Sequence, residues 1–222
     1  MKGDDMHNFI ISCNNLLKSG GFQYAFCGGF ALDIHIGQIT RLHGDIDVSA
    51  FTEDRNKVIT FMRSQEWSAY EGSGNGTVHL IENINDQMLI NPNVFFVKNN
   101  CDIFHIEYID NNIYKCDIDK IDKFDFIEFL FDKRNDTEFI YPRNNKISRK
   151  LEKAVLYKNN IPYLSPELVL LYKSTDLKRN ENKQDFNIVV PYLSDDSKEW
   201  LYYSLITAFP KGHEWILSLE NL

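Results

Sequence analysis

At 222 residues with 43% hydrophobic and 14% aromatic content, the chain has enough apolar material for one sizeable packed domain or two small ones, which excludes disorder as the default. A formal charge of −8 argues against a protein that binds nucleic acid by neutralising phosphates, because such proteins concentrate Lys and Arg on one face. No apolar run approaches the ~20 residues of a membrane span, and the acidic start lacks a secretory layout, so a cytoplasmic protein without membrane contact is expected. Cys13, Cys27, Cys101 and Cys116 form no C-x2-C pair, and free thiols in a reducing compartment are the simplest reading.

Phe9, Ile10, Cys13, Leu16 and Leu17 fall at helical spacing, with Gly20-Gly21 as the stop. The run from Phe22 to Cys27 reads as a strand entering a tight Gly28-Gly29 turn, followed by a helix that Gly37 closes. From Asp45 to Phe51 the pattern alternates, with Ile46, Val48 and Ala50 on one face and Asp45, Asp47 and Ser49 on the other. A helix is predicted from Arg55 to Glu66, a glycine-rich turn at Gly72–Gly76, and strands at Thr77–Ile81, Val94–Val97, Ile103–Ile109 and Ile113–Cys116. Asp110-Asn111-Asn112 supplies hairpin-turn chemistry between the last two. Pro166 suits the first turn of a helix over Glu167–Ser174, and another helix starts at Asp195. This predicts a mixed α and β catalytic region over residues 1–140 and a mainly helical region over 141–222.

The chemistry is concentrated in Phe26-Cys27-Gly28-Gly29-Phe30-Ala31-Leu32-Asp33 and in Arg41-Leu42-His43-Gly44-Asp45-Ile46-Asp47-Val48. Two carboxylates on one strand face are costly together unless a hard divalent cation lies between them, and Mg2+ is the natural guest. The Gly28-Gly29 turn lets backbone approach a triphosphate, and the N–H groups of the helix it opens offer an anion site. Alone, the glycine pair would be an ordinary turn and Asp45-x-Asp47 a solvated strand face; His43 is equally a linker residue or a phosphate contact.

Together these segments resemble the small-molecule branch of the DNA polymerase β-like nucleotidyltransferases, with aminoglycoside 2''-adenylyltransferases and lincosamide nucleotidyltransferases the most similar. The resemblance implies an α+β fold, a mixed sheet with helices behind it and a smaller helical C-terminal region. It also implies Mg2+, ATP or another nucleoside triphosphate as co-substrate, and a third carboxylate on a later strand. Asp102, at the head of the Ile103–Ile109 strand, is the first choice, and Glu107 is its competitor; residues five apart in a strand face opposite sides, so only one can join Asp45 and Asp47 without a bulge. The third carboxylate is also the expected base.

A second similarity lies in Pro166-Glu167-Leu168-Val169-Leu170-Leu171-Tyr172-Lys173-Ser174 with Lys183-Gln184-Asp185-Phe186, and it implies that Lys173 lies near the triphosphate. On this reading Gly28, Gly29, Arg41, His43 and Lys173 contact the nucleotide. Between Ile81 and Asn100 and after Pro191 the chain departs from the pattern, which leaves the acceptor open. Eleven acids against five bases between Cys101 and Tyr141 suit a cationic acceptor, with a solvated surface as the equal alternative. A toxin-type enzyme acting on tRNA or protein, or a non-catalytic nucleotide-binding protein, are the other readings.

Overall fold

A computed structural model describes residues 3–89, 91–99, 101–119 and 124–220. In chain order the elements are α1 (Gly3–Leu17), β1 (Tyr24–Phe26), α2 (Gly28–Ile36), β2 (Asp47–Phe51), α3 (Arg55–Ser64), β3 (Trp67–Gly74), β4 (Thr77–Leu80), β5 (Val94–Lys98), β6 (Phe104–Asp110) and β7 (Ile113–Ile118). There follow β8 (Phe126–Arg134), β9 (Glu138–Ile140), β10 (Ser148–Lys150), α4 (Leu151–Ala154), β11 (Val155–Lys158), β12 (Ile161–Leu164), α5 (Pro166–Lys173), α6 (Asn180–Val189), α7 (Asp195–Ala208) and α8 (Glu214–Glu220). Among the described residues no helix is long and apolar enough to cross a membrane.

The chain packs as two units that no single cut separates: Met1–Phe26 with Arg41–Asp132, and Cys27–Thr40 with Lys133–Leu222. The reason lies in α2. Its Phe30, Ala31 and Leu32 are buried, and it packs against α5, α6 and β12.

The first unit is built on the strand order β1-β2-β8-β5-β3-β4-β7-β6. Its neighbours are antiparallel apart from β2 and β8, which run parallel. In α1, Ile10, Cys13 and Leu17 are buried, the stripe its periodicity predicts. In β2 the side chains alternate between faces, and Val48, Ser49, Ala50 and Phe51 are all buried, so both faces of the strand are covered there. Ser49 is accommodated by donating its hydroxyl to Asp132 (2.5 Å). β8, whose Phe126, Ile127, Phe129 and Phe131 are buried, lies between β2 and β5, and Phe129 meets Phe96 of β5 edge to face at 5.3 Å. At the far edge β6 and β7 form the hairpin read from Asp110-Asn111-Asn112, with Asn111 and Asn112 both at positive φ.

In the second unit the C-terminal helices are present, and they are preceded by strands where helix was expected. β11 and β12 form a hairpin whose Asn159 and Asn160 both take positive φ, the conformation a two-residue turn requires. Arg149 and Glu167 make a buried ion pair at 2.7 Å, and Leu168–Leu171 with Phe186, Val189, Leu201 and Leu205 are buried. Trp215 is buried and stacks on Phe186 at 4.2 Å.

Candidate active site

The parallel pairing of β2 and β8 places Asp47 opposite Glu128. The Glu128 N–H donates to the carbonyl of Ile46 (2.9 Å), and Ile46 is fully buried, so the backbone between Asp45 and Asp47 is anchored to β8 while both side chains point away from that apolar anchor. Asp45, Asp47 and Glu128 each offer a carboxylate oxygen within 4.8 Å of the others. Across the other edge of β8, Asn93 donates its side-chain N–H to Glu128 Oε1 (2.5 Å).

The three acids do not sit together at ease. The Glu128 carboxyl is pushed up to about 7, chiefly by burial and then by the charge of Asp45, with the Asn93 hydrogen bond pulling the other way. Three carboxylates so close together concentrate negative charge. The donor set is all oxygen, which fits a hard divalent cation such as Mg2+ rather than a thiophilic metal.

The structure brings Asp45 and Asp47 together, as their spacing predicts, and sets Glu128 beside them rather than Asp102 or Glu107. Asp102 lies in the exposed bend before β6, and Glu107 is exposed on β6, opposite Lys115. Their strand is the sheet's far edge, six places from β2, and at about 4.8 Å per place it is out of ligand reach. Glu128 was missed, although it is the one acid inside the apolar run Phe126–Phe131. A lone carboxylate in a strand that must be buried needs a partner, and that signal was available.

The remaining expected residues divide as follows. Gly28 and Gly29 open α2, with Gly28 at φ +60° and no side-chain cap from Cys27. Asp33 of the same motif is buried and accepts from the Thr40 N–H (3.0 Å) and hydroxyl (2.6 Å), so it closes the loop after α2. In the first unit, Arg41 donates to the Leu42 carbonyl (3.1 Å) and His43 is buried. Lys173 is engaged within its own unit: its ammonium pairs with buried Asp185 at 2.8 Å and reaches Asn182 at 3.4 Å. Lys183, two residues before Asp185, pairs instead with Glu214 (3.2 Å).

Residues 9–72 match the sequence family described as aminoglycoside-2''-adenylyltransferase. No curated protein matches the chain in sequence. Among solved structures, the antibiotic-resistance factor ANT(2'')-Ia in solution is 11% identical, covering 93% of this chain and 95% of its own, at a TM-score of 0.51. The lincomycin-bound lincosamide antibiotic adenylyltransferase LnuA is 14% identical over 82% of this chain and 96% of its own, also at 0.51. An antigenic nucleotidyltransferase-like protein from Paracoccidioides brasiliensis is 14% identical over 99% and 94% of the two chains, again at 0.51. The chain therefore shares the mixed-sheet fold of these proteins along most of its length, and over residues 9–72 it resembles the aminoglycoside-2''-adenylyltransferases in sequence.

Proposed function

We propose that the chain transfers a nucleoside monophosphate, AMP from ATP, to a hydroxyl of a small molecule of the aminoglycoside or lincosamide kind. The observation that carries this reading is the convergence of Asp45, Asp47 and Glu128 within 4.8 Å in a chain whose Gly28-Gly29 and Asp45-x-Asp47 segment falls inside the family match. In the reaction the acceptor oxygen forms a bond to the α-phosphorus, the bond from that phosphorus to the bridging oxygen breaks, and pyrophosphate leaves. The three carboxylates would hold Mg2+, which would supply neutralisation of the charge on the transferring phosphoryl group. Glu128 is the carboxylate we assign to receiving the hydroxyl proton, because it stands beside Asp45 and Asp47 and its burial and the charge of Asp45 favour its protonated form. For the nucleotide, the proposal keeps Gly28 and Gly29 at the head of α2, Arg41 and His43 on the approach to Asp45, and Lys173.

The test is direct. The protein is incubated with Mg2+, each of the four nucleoside triphosphates and a panel of aminoglycosides and lincosamides, and the products are weighed for a monophosphate increment, with Asp45→Asn as the control. Labelling of total RNA in place of any drug would replace this reading with the toxin-type one.

A further inference from the structure

Ahead of β5, Gln87, Met88, Leu89 and Pro92 are held by a buried ionic clamp. Glu71 on β3 is fully buried. Its carboxylate accepts from Arg55 Nη2 (2.9 Å), from His79 Nδ1 (3.3 Å), from the Leu89 N–H (3.2 Å) and from the Met88 N–H. Arg55 grips the same segment from its other nitrogens, donating through Nε to Gln87 Oε1 and through Nη1 to the Pro92 carbonyl, each at 2.7 Å. Leu89 is bent to φ +56°, a conformation a bulky side chain avoids and one that persists only where surroundings impose it. Directly after the clamped stretch comes Asn93, whose side chain donates to Glu128.

The register shows how the two ends are tied. Glu71 pairs with Val94 across β3 and β5, and Phe95 pairs with Glu128 across β5 and β8. Asn93 thus stands between a carboxylate that is entirely consumed by structure and one that faces the candidate metal site. We infer that Glu71 is a positioning residue for that site: it anchors the arm carrying Asn93, and Asn93 fixes the orientation of the Glu128 carboxylate. The inference rests on the metal reading given above for Asp45, Asp47 and Glu128. A hydrogen bond to a ligating carboxylate orients it and typically accounts for 10- to 100-fold in metal affinity. The strain at Leu89 is then the cost of aiming Asn93.

Mn2+ alone, titrated into the full chain and followed by electron paramagnetic resonance, tests it, with Asp45→Asn as the control that locates the ion. Asn93→Ala is expected to weaken Mn2+ binding about tenfold, Glu71→Gln to do the same, and the double variant to lose no more than either alone, since both act through one hydrogen bond. Leu89→Gly, which accepts the positive φ without strain, should restore part of the affinity of Glu71→Gln. Unchanged binding in Asn93→Ala, or losses that multiply in the double variant, overturn the inference. Should Glu71→Gln fail to fold, Arg55→Lys loosens the arm from its other side and is held to the same expectation. A metal-free readout separates this inference from the metal reading: the Asn93 side-chain amide protons should exchange slowly in the parent and rapidly in Glu71→Gln or Arg55→Lys. If the parent takes up no Mn2+, the metal reading falls, and the amide result alone decides whether Glu71 holds Asn93 in place; exchange equal in parent and variants refutes it.

Discussion

Asp47 and Glu128 face each other across β2 and β8, which among the described residues of their unit are the one parallel pair of neighbouring strands. That pairing joins residues far apart in sequence, and it is what brings the third carboxylate to the Asp45-x-Asp47 motif. Placed there without a cation, the three acids repel, and the first two predictions follow from that repulsion.

Asp45→Asn and Asp47→Asn should each lower transfer by about a thousandfold, the equivalent of several kcal/mol of lost charge stabilisation, while the fold stays intact. In the absence of metal the same variants should melt higher, since relieving about 1 kcal/mol of repulsion raises the midpoint of a chain this size by about 2–4 °C. Turnover and calorimetry on the two proteins check this. Parent-like turnover in both would remove the metal-site assignment.

Glu128 sets a pH dependence of known sign. Its carboxyl titrates at about 7 in the folded chain against an ordinary 4.5. Between those values the unfolded chain gives up the proton and the folded chain keeps it, so the stability this group contributes is full below pH 4.5 and is lost as pH rises through 7. The loss in metal-free protein is on the order of 2 kcal/mol, discounted because Glu128 is not wholly removed from water. Urea denaturation across this window should show the slope in the parent and a flatter one in Glu128→Gln. Metal uptake should release close to one proton at pH 6 and almost none at pH 8, measured calorimetrically in buffers of different ionisation enthalpy. An identical slope in Glu128→Gln would place the titration elsewhere.

What was legible in the sequence is what local chemistry dictates. Gly28 at positive φ and Gly37 at φ +94° bracket α2, and those glycines mark a turn and a helix end by themselves. Asp45 and Asp47 share a side because strand geometry requires it. Glu128 was not legible by spacing, since nothing local says that β8 rather than β6 adds to β2. Glu107, on β6, and Asp102, in the bend before it, belong to a segment just as plausible by pattern, and that strand is at the opposite edge of the sheet. The β11–β12 hairpin was missed although Asn159-Asn160 carries the same turn chemistry as Asn111-Asn112, because the helical signal of α5 beyond it dominated the reading of that region.

Lys173 illustrates a role that only packing reveals. Its ammonium meets Asp185, twelve residues on and nearly fully buried. Removing the lysine takes away a cation 2.8 Å from that carboxylate, and breaking a buried pair costs on the order of 3 kcal/mol. Lys173→Ala should therefore lower the melting point markedly before any nucleotide is added, where removal of a surface lysine would leave it nearly unchanged. Replacing both partners, Lys173→Met with Asp185→Leu, should recover most of the loss. The thermal shift that Mg2+ and ATP give this double variant decides the nucleotide role: a shift equal to the parent's makes Lys173 purely structural.

The acceptor is open to a test that uses only charge. Of the acids between Cys101 and Tyr141, Asp125 and Asp132 are buried and Glu128 joins the cluster, but Asp102, Glu107, Asp110, Asp117 and Asp119 are exposed on and beside the β6–β7 hairpin. A field from exposed carboxylates is long-ranged at low salt and attracts a polycation in proportion to its charge. Raising salt from about 50 to about 500 mM shortens the screening length from roughly 14 to roughly 4 Å. The apparent affinity for a polycationic aminoglycoside should then fall by about an order of magnitude or more, while a lincosamide with a single positive charge should change far less. Charge reversal at Asp117 on β7 and at Asp119 just after it, a strand remote in order from the Asp45, Asp47 and Glu128 cluster, should reduce the salt slope and leave turnover at saturating acceptor unchanged. An aminoglycoside whose binding is flat across that range would make these carboxylates a solvated surface and nothing more, and acceptor choice would then have to be sought in shape and hydrogen bonding.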